Sequence, residues 1–246
     1  MPEIRVCSDA LEVSEEAARL FVATATGGAA HIALSGGSTP RELYRRLSMP
    51  PFAKSIPWQN THLYWGDERC VPPDHSDSNY RMVRETLLDH VRIPAANIHR
   101  IPAELDPATA AELYERELPD RLDLIFLGPG EDGHTASLFP DSEALGEMHR
   151  RVVANYIPRF NSSRITLTPP YINRSQKIVF LVTHTSKGAI LREVFNGPPG
   201  KYPAQLIHAH LLLTDFDFTA EPPAPSPQDG RAATMSRQGA QKCEKE

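Results

Sequence analysis

The sequence predicts an α/β fold: a single domain with a mainly parallel sheet flanked by helices. Two observations carry that expectation. Apolar runs of strand length alternate with helical patterns along most of the chain, without a long-period repeat. The run from Leu122 to Leu127 is apolar except at Asp123 and is followed by turn residues, as expected of a strand covered on both faces.

Residues 8–26 read as an amphipathic helix. Asp9 or Ser8 suits its N-cap, Val13, Ala17, Leu20 and Phe21 share one face, and Gly27 stops it. His31 to Ser35 is a short strand running into Gly36, Gly37, Ser38, Thr39 and Pro40. There Thr39 suits the N-cap of a second helix, Pro40 its first position and Glu42 the reciprocal capping-box position. Strand, glycine-rich turn and helix start together present backbone N–H groups and a positive dipole end to an anion. The loop has neither the Walker spacing with its Lys nor the Gly-x-Gly-x-x-Gly fingerprint, so a capped turn without a ligand stands beside that reading.

His62 to Trp65 is the next strand, ending in Gly66, Asp67, Glu68, Arg69 and Cys70. This charged loop is either a surface ion-pair cluster or part of a cleft at the shared strand edge. Ser78 begins a helix carrying Val83, Leu87, Leu88 and Val91, and Asp106-Pro107 begins another through Ala110, Leu113, Tyr114 and Leu118. After the strand at 122–127, the breakers Gly128, Pro129, Gly130 and Gly133 mark a tight loop holding Asp132 and His134. Open α/β sheets place ligands at the carboxyl ends of their strands. Imidazole titrates close to working pH, which makes His134 the natural general base; the plain alternative is a surface or structural histidine.

Arg151 to Ala154, Arg164 to Thr168 and Lys177 to Thr183 read as further strands. Ser186-Lys187 opens a helix through Ala189, Ile190 and Val194, stopped by Gly197 and Pro198. A cation at a helix N-terminus opposes the dipole and is tolerable where it faces an anionic ligand. Gln205 to Leu213 is the last expected strand. Residues 219–246, rich in Pro, Ala, Ser, Gln and Lys, are expected to form a disordered tail beyond a 1–218 domain.

A chain of 246 residues is long enough to bury a sizeable core. A net charge of −5 without a long basic run argues against nucleic acid or an anionic membrane as partner. No apolar stretch approaches the roughly 18 residues of a membrane span, and the first residues lack the basic and apolar regions of a secretory signal. Cys7, Cys70 and Cys243 are widely spaced and suggest neither a metal site nor a disulfide framework. A cytoplasmic protein acting on a small molecule is expected.

Four stretches carry a resemblance. Leu34 to Pro40, Trp65 to Pro72, Gly128 to Pro140 with its Asp-Gly-His-Thr-Ala-Ser-Leu-Phe-Pro ending, and Arg164 to Thr168 resemble the 6-phosphogluconolactonases. The resemblance spans residues 8–215 and implies the fold shared with glucosamine-6-phosphate deaminase and ribose-5-phosphate isomerase. It implies hydrolysis of 6-phospho-D-glucono-1,5-lactone in the oxidative pentose phosphate pathway, without metal or organic cofactor; a monomer or small homo-oligomer is expected, and the sequence does not choose between them. It further implies His134 as general base with Asp132 and Asp67 around it. Ser35, Gly36, Gly37, Ser38 and Thr39 match the phosphate loop, and Arg69, Lys187 and Arg164 match cations holding phosphate or developing charge. Two positions depart from the family pattern: Pro129 replaces an apolar residue, and His184 stands where Gly is expected.

Three other readings compete. A glucosamine-6-phosphate deaminase loop continues from Asp-Gly-His through Phe-Asn-Glu, whereas the matching positions here are Ser137, Leu138 and Phe139, without a carboxylate. A non-catalytic sugar-phosphate sensor of this fold carries a DNA-binding segment, and no basic recognition helix is evident here. A serine hydrolase would show Gly-x-Ser-x-Gly, which is absent.

Overall fold

The computed structural model describes residues 1–219, so the tail expected over 219–246 lies almost wholly outside the described residues. In chain order the strands are β1 (Glu3–Val6), β2 (Ala30–Leu34), β3 (Thr61–Trp65), β4 (Asp67–Arg69), β5 (Leu124–Leu127), β6 (Val152–Ile157), β7 (Ser162–Leu167), β8 (Ile178–Val182) and β9 (Leu211–Thr214). The helices are α1 (Ala10–Ala25), α2 (Ser38–Leu47), α3 (Phe52–Ser55), α4 (Asn79–Thr86), α5 (Pro107–Glu117), α6 (Pro169–Asn173) and α7 (Gly188–Asn196).

Six strands form one sheet in the order β1-β9-β8-β5-β2-β3, and every neighbouring pair is parallel. The central β5 and β8 are buried along their whole length, which accounts for their apolar composition. The expected α/β architecture is therefore present, with one hydrophobic core shared by the sheet and its helices. From β2 the chain moves outward to β3, returns to place β5 on the other side of β2, and proceeds away through β8 and β9. The direction of winding thus reverses between β2 and β5. Parallel pairing sends the C-terminal ends of β2, β3, β5 and β8 to one edge, and the reversal opens a crevice there.

A second, antiparallel sheet in the order β4-β7-β6 stands beside the first. Its β4 falls where the sequence suggested a charged loop. Gly66 makes the transition: its N–H donates to Leu34 in the parallel sheet at 2.8 Å, and its carbonyl accepts from Leu167 of β7 at 2.9 Å. Three residues with charged side chains give no apolar pattern, so this strand rests on its pairing with β7. The edge strand β1 was likewise not expected, because four residues carry too little periodicity.

Several boundaries differ from the sequence reading. Helix α1 is capped by Asp9, whose carboxylate accepts from the Glu12 N–H at 2.8 Å. Helix α2 starts earlier than Thr39: Gly37 occupies the cap with φ 110°, a backbone angle that favours glycine, and no side chain caps the turn. Glu42 pairs with Arg45 instead of closing a capping box. Helix α4 ends at Thr86, and Leu88 to His90 continue as a tighter turn. The expected strand over 205–213 is a 3₁₀ turn, Pro203–Leu206, followed by the later and shorter β9, because Pro203 favours a turn start.

Two tyrosines secure the strand ends that border the crevice. The Tyr44 hydroxyl, from α2, accepts from the Ser35 N–H at 2.9 Å and donates to the Ser35 carbonyl at 2.8 Å. Tyr114, from α5, does the same for Trp65 at 2.7 and 2.9 Å. Both rings are fully buried, and burial raises both hydroxyls well above the ordinary tyrosine range, which keeps them protonated donors. Tyr44→Phe strands a buried N–H and a buried carbonyl, and urea unfolding should show a loss of about 2 kcal/mol with an unchanged m-value.

Candidate active site

Four connections meet at the crevice between β2 and β5. The first, Ser35 to Thr39, turns β2 into α2. Gly36 leaves room for Asn79: a Cβ there would lie 2.1 Å from Oδ1 of that side chain and would displace it from the Asp67 carbonyl. The first N–H groups of α2 have no partner within the helix, so they are available to an anion. The Ser35 hydroxyl is buried without a hydrogen-bond partner among the described residues. Thr39 is tied across the crevice mouth to Thr183 at the end of β8, Oγ1 to Oγ1, 2.7 Å apart.

The second connection is β4 itself. Strand alternation separates its three charges. Asp67 and Arg69 line the cleft, while Glu68 is buried on the opposite face under α4. Glu68 accepts from the N–H groups of Arg69, Asn79 and Tyr80, each at 2.8 Å, and from the Ser78 hydroxyl at 3.1 Å. Burial pushes its carboxyl upward even though those hydrogen bonds pull it down. Glu68 is thus a structural cap on the α4 N-terminus. Asp67 accepts from the Ser137 hydroxyl at 2.6 Å, and Asn79 bonds its carbonyl at 2.9 Å. The Arg69 guanidinium donates to the Asp77 carbonyl at 2.7 Å.

The third connection, Gly128 to Phe139, carries the histidine. It closes on itself through Gly130 N–H to the His134 carbonyl at 2.8 Å and Gly133 N–H to the Gly130 carbonyl at 3.0 Å. Gly133 has φ 74° and lies against Tyr202. The Asp132 carboxylate contacts His134 Nδ1 in a very short hydrogen bond and accepts the His134 N–H at 3.2 Å. Partial burial raises the Asp132 carboxyl, but hydrogen bonding and charge from His134, with the Arg159 ion pair, bring it below the ordinary aspartate value. The imidazole stacks on Phe139, centroids 4.2 Å apart. Of the two candidate aspartates, Asp132 therefore holds the ring; Asp67 makes no hydrogen bond to it among the described residues.

The fourth connection follows β8. His184 adopts φ 78°, which explains why Gly is the expected residue there. Lys187 nevertheless reaches the cleft, donating from Nζ to the Pro129 carbonyl at 3.1 Å. Burial depresses its ammonium, with Glu131 opposing that shift, and an anion in the cleft would oppose it further.

Together these loops enclose a cleft of about 680 Å³. It is lined by Ser35, Gly36, Gly37, Ser38, Thr39, Asp67, Arg69, Asp132, His134 and Lys187, ten of the eleven residues singled out from sequence. Arg164 is the exception. It is the cross-strand partner of Arg69 on β7, its guanidinium 5.7 Å from the Phe160 ring, and burial, with the like charge of Arg69, pushes that guanidinium below the ordinary arginine range. Sequence reasoning missed Arg159 and Phe160 from the β6–β7 turn, and Asn79, all of which line the cleft. Among the described residues no group of three or more His, Cys, Asp or Glu is arranged to hold a metal ion, and no helix is long and apolar enough to cross a membrane.

An open parallel sheet with a glycine-rich turn into a helix N-terminus at its winding reversal, a half-buried lysine and an Asp–His pair define a sugar-phosphate enzyme of the α/β class. Residues 7–214 match the family described as glucosamine-6-phosphate isomerases/6-phosphogluconolactonase, and the chain belongs to that family. It is 42% identical over 193 residues to 6-phosphogluconolactonase of Haemophilus influenzae, covering 76% of this chain and 83% of that one. It is similar to the solved structure of the devB protein, with a TM-score of 0.82 and 34% identity over 87% of this chain and 98% of that one. A monomeric glucosamine-6-phosphate deaminase shares the fold, with a TM-score of 0.76 at 21% identity over 88% of this chain and 98% of that one.

A Cβ on Gly130 would stand 2.0 Å from Cε1 of the His134 ring. Gly130→Ala should therefore displace the imidazole and lower turnover at least tenfold, while circular dichroism and binding of inorganic phosphate stay near wild type.

Proposed function

We propose that this cleft hydrolyses 6-phospho-D-glucono-1,5-lactone to 6-phospho-D-gluconate, the reaction for which its Haemophilus relative is named, with His134 as general base. The observation that carries this reading is the held imidazole: Asp132 engages Nδ1 and Phe139 supports the ring face, which leaves Nε2 as the nitrogen for proton transfer. A δ-lactone is an activated ester, so the chemistry asks for one positioned base and stabilisation of one oxyanion.

In the proposed sequence, neutral His134 takes a proton from water as the oxygen attacks the C1 carbonyl. The C1–ring oxygen bond of the tetrahedral intermediate then breaks, and the imidazolium returns its proton to the departing ring oxygen. One histidine serves as base and then as acid, a role worth ~10²–10⁴-fold. Asp132 stabilises the imidazolium in between. Arg69 offsets the oxyanion, a contribution of about 10²–10³-fold for a well-placed donor. The remote phosphate is held by Ser35 to Thr39 with Lys187, which keeps the lactone in register. Arg164, the cross-strand neighbour of Arg69, lies outside the cleft lining and is given no step here. No metal or organic cofactor enters these steps.

Position 139 also speaks against the deaminase alternative. Where that chemistry uses a carboxylate, this chain has Phe139 packed on the imidazole. An extra acid/base group has no place in the ring stack. The protein is proposed to work in the cytoplasm on this small substrate alone.

The decisive assay follows 6-phosphogluconate formation from fresh lactone with a coupled dehydrogenase, after subtraction of the spontaneous rate. An enzyme-dependent excess is expected; its absence in folded protein would move the weight to a sugar-phosphate sensor. His134→Ala should cut kcat by ~10²–10⁴-fold with little change in KM. Lys187→Ala should act the other way, raising KM by roughly tenfold or more while kcat falls less, because it removes a phosphate contact remote from C1.

A further inference from the structure

The β6–β7 hairpin aims its tip at the histidine. Pro158–Phe160 form a 3₁₀ turn, closed by Asn161 in the left-handed conformation with φ 44°, and the Tyr156 hydroxyl donates to Asn161 Oδ1 at 2.6 Å. This holds Arg159 over two rings at once: its guanidinium carbon is 4.7 Å from the centroid of Phe139 and 4.6 Å from that of Phe160. The two phenyl rings meet edge to face at 5.7 Å. The same guanidinium pairs with Oδ2 of Asp132, the oxygen that His134 leaves free. Contacts therefore run in a closed ring, from His134 to Phe139 to Arg159 to Asp132 and back to His134.

We propose that Arg159 is a positioning residue for catalysis, completing this ring so that the imidazole keeps one orientation and shares its carboxylate with a permanent cation. This inference rests on His134 being the base. Two consequences follow from the geometry. A carboxylate held on both oxygens cannot swing, so the imidazole it engages cannot swing either. A guanidinium is charged at every relevant pH, so it competes with the imidazolium for Asp132 and disfavours protonation of the base. The other charges lining this cleft are Glu131 on the same loop, Lys187 ahead of α7, and Asp67 and Arg69 on β4. Of these, none forms an ion pair with Asp132 among the described residues. Stacking on two phenyl faces secures the cation at a tip where a lone ion pair would be worth little.

The test is the pH dependence of kcat/KM in Arg159→Gln, with Arg159→Met as a second uncharged variant that keeps an aliphatic stem over the rings. Removal of the cation should move the acid limb to higher pH by about 0.5–1 unit, because Asp132 then serves the imidazolium alone. At the plateau kcat should fall by roughly three- to tenfold, as the base loses part of its alignment. Arg159→Lys should return the limb to within about 0.3 unit of wild type while recovering only part of kcat, since charge is restored without the planar fork. Affinity for 6-phosphogluconate, measured by calorimetry, should stay within about twofold. The nearly half-exposed side chain predicts an ordinary unfolding midpoint for each variant. An acid limb that stays in place in both uncharged variants overturns the proposal, as does an equal displacement in Arg159→Lys. A loss confined to KM and product affinity also overturns it, and makes Arg159 an anion ligand. Failure of the lactonase reading itself would look different: wild-type protein would then show no turnover.

Discussion

Parallel pairing of β2 with β5 is the constraint on which the rest of this structure depends. Two strands that run the same way deliver their C-terminal ends side by side, and here those ends lead to the glycine-rich turn before α2 and to the histidine loop. The register Ile32 to Leu124 and Ala33 to Ile125 sets the offset between them. Because successive side chains alternate faces, a slip of one residue would exchange the two buried faces of β5 and move Gly128 from its place against Leu181, whose carbonyl leaves no room for a Cβ. The core and the cleft are thus fixed by the same hydrogen bonds.

Rigidity at the crevice comes from polar groups that are buried with full sets of partners. Tyr44 and Tyr114 bracket the strand ends, Glu68 gathers three N–H groups and a hydroxyl beneath α4, and Asn79 reaches from that helix to the backbone of Asp67. Each is a polar side chain doing the work of a missing backbone partner where a strand stops pairing. Such groups are expensive to bury alone and stabilising once satisfied, which favours one arrangement of the loops over its neighbours.

The sequence exposed much of this and concealed a definable remainder. Periodicity located β2, β3, β5 and β8 and helices α1, α4, α5 and α7 because each buries several consecutive or evenly spaced apolar residues. Local glycine chemistry and the Asp-x-His spacing pointed to both cleft loops, so ten site candidates converge on one cavity. What escaped was whatever long-range contact decides. Strand β4 has no apolar pattern of its own and exists through pairing with β7. Arg159 comes from a hairpin tip 25 residues beyond His134, in a stretch without a loop signature, and only the packing of Phe139 and Phe160 brings it in. Arg164 shows the converse: a residue carried by motif resemblance that pairs with Arg69 across the strands and lies beside Phe160 without joining the cleft lining.

The cleft draws on five segments widely separated along the chain: the loops after β2, β3, β5 and β8 and the tip of the β6–β7 hairpin. Five of the ten predicted site residues come from the single turn Ser35 to Thr39, and the others are scattered from Asp67 to Lys187. A ligand seated there works as a clasp, joining the first third of the chain to the last, and it binds the assembled state alone. Occupancy then raises global stability by RT ln(1 + [L]/Kd), about 2.7 kcal/mol at a hundredfold excess over Kd. Metabolite supply would in this way govern the lifetime of the polypeptide as well as the flux through it.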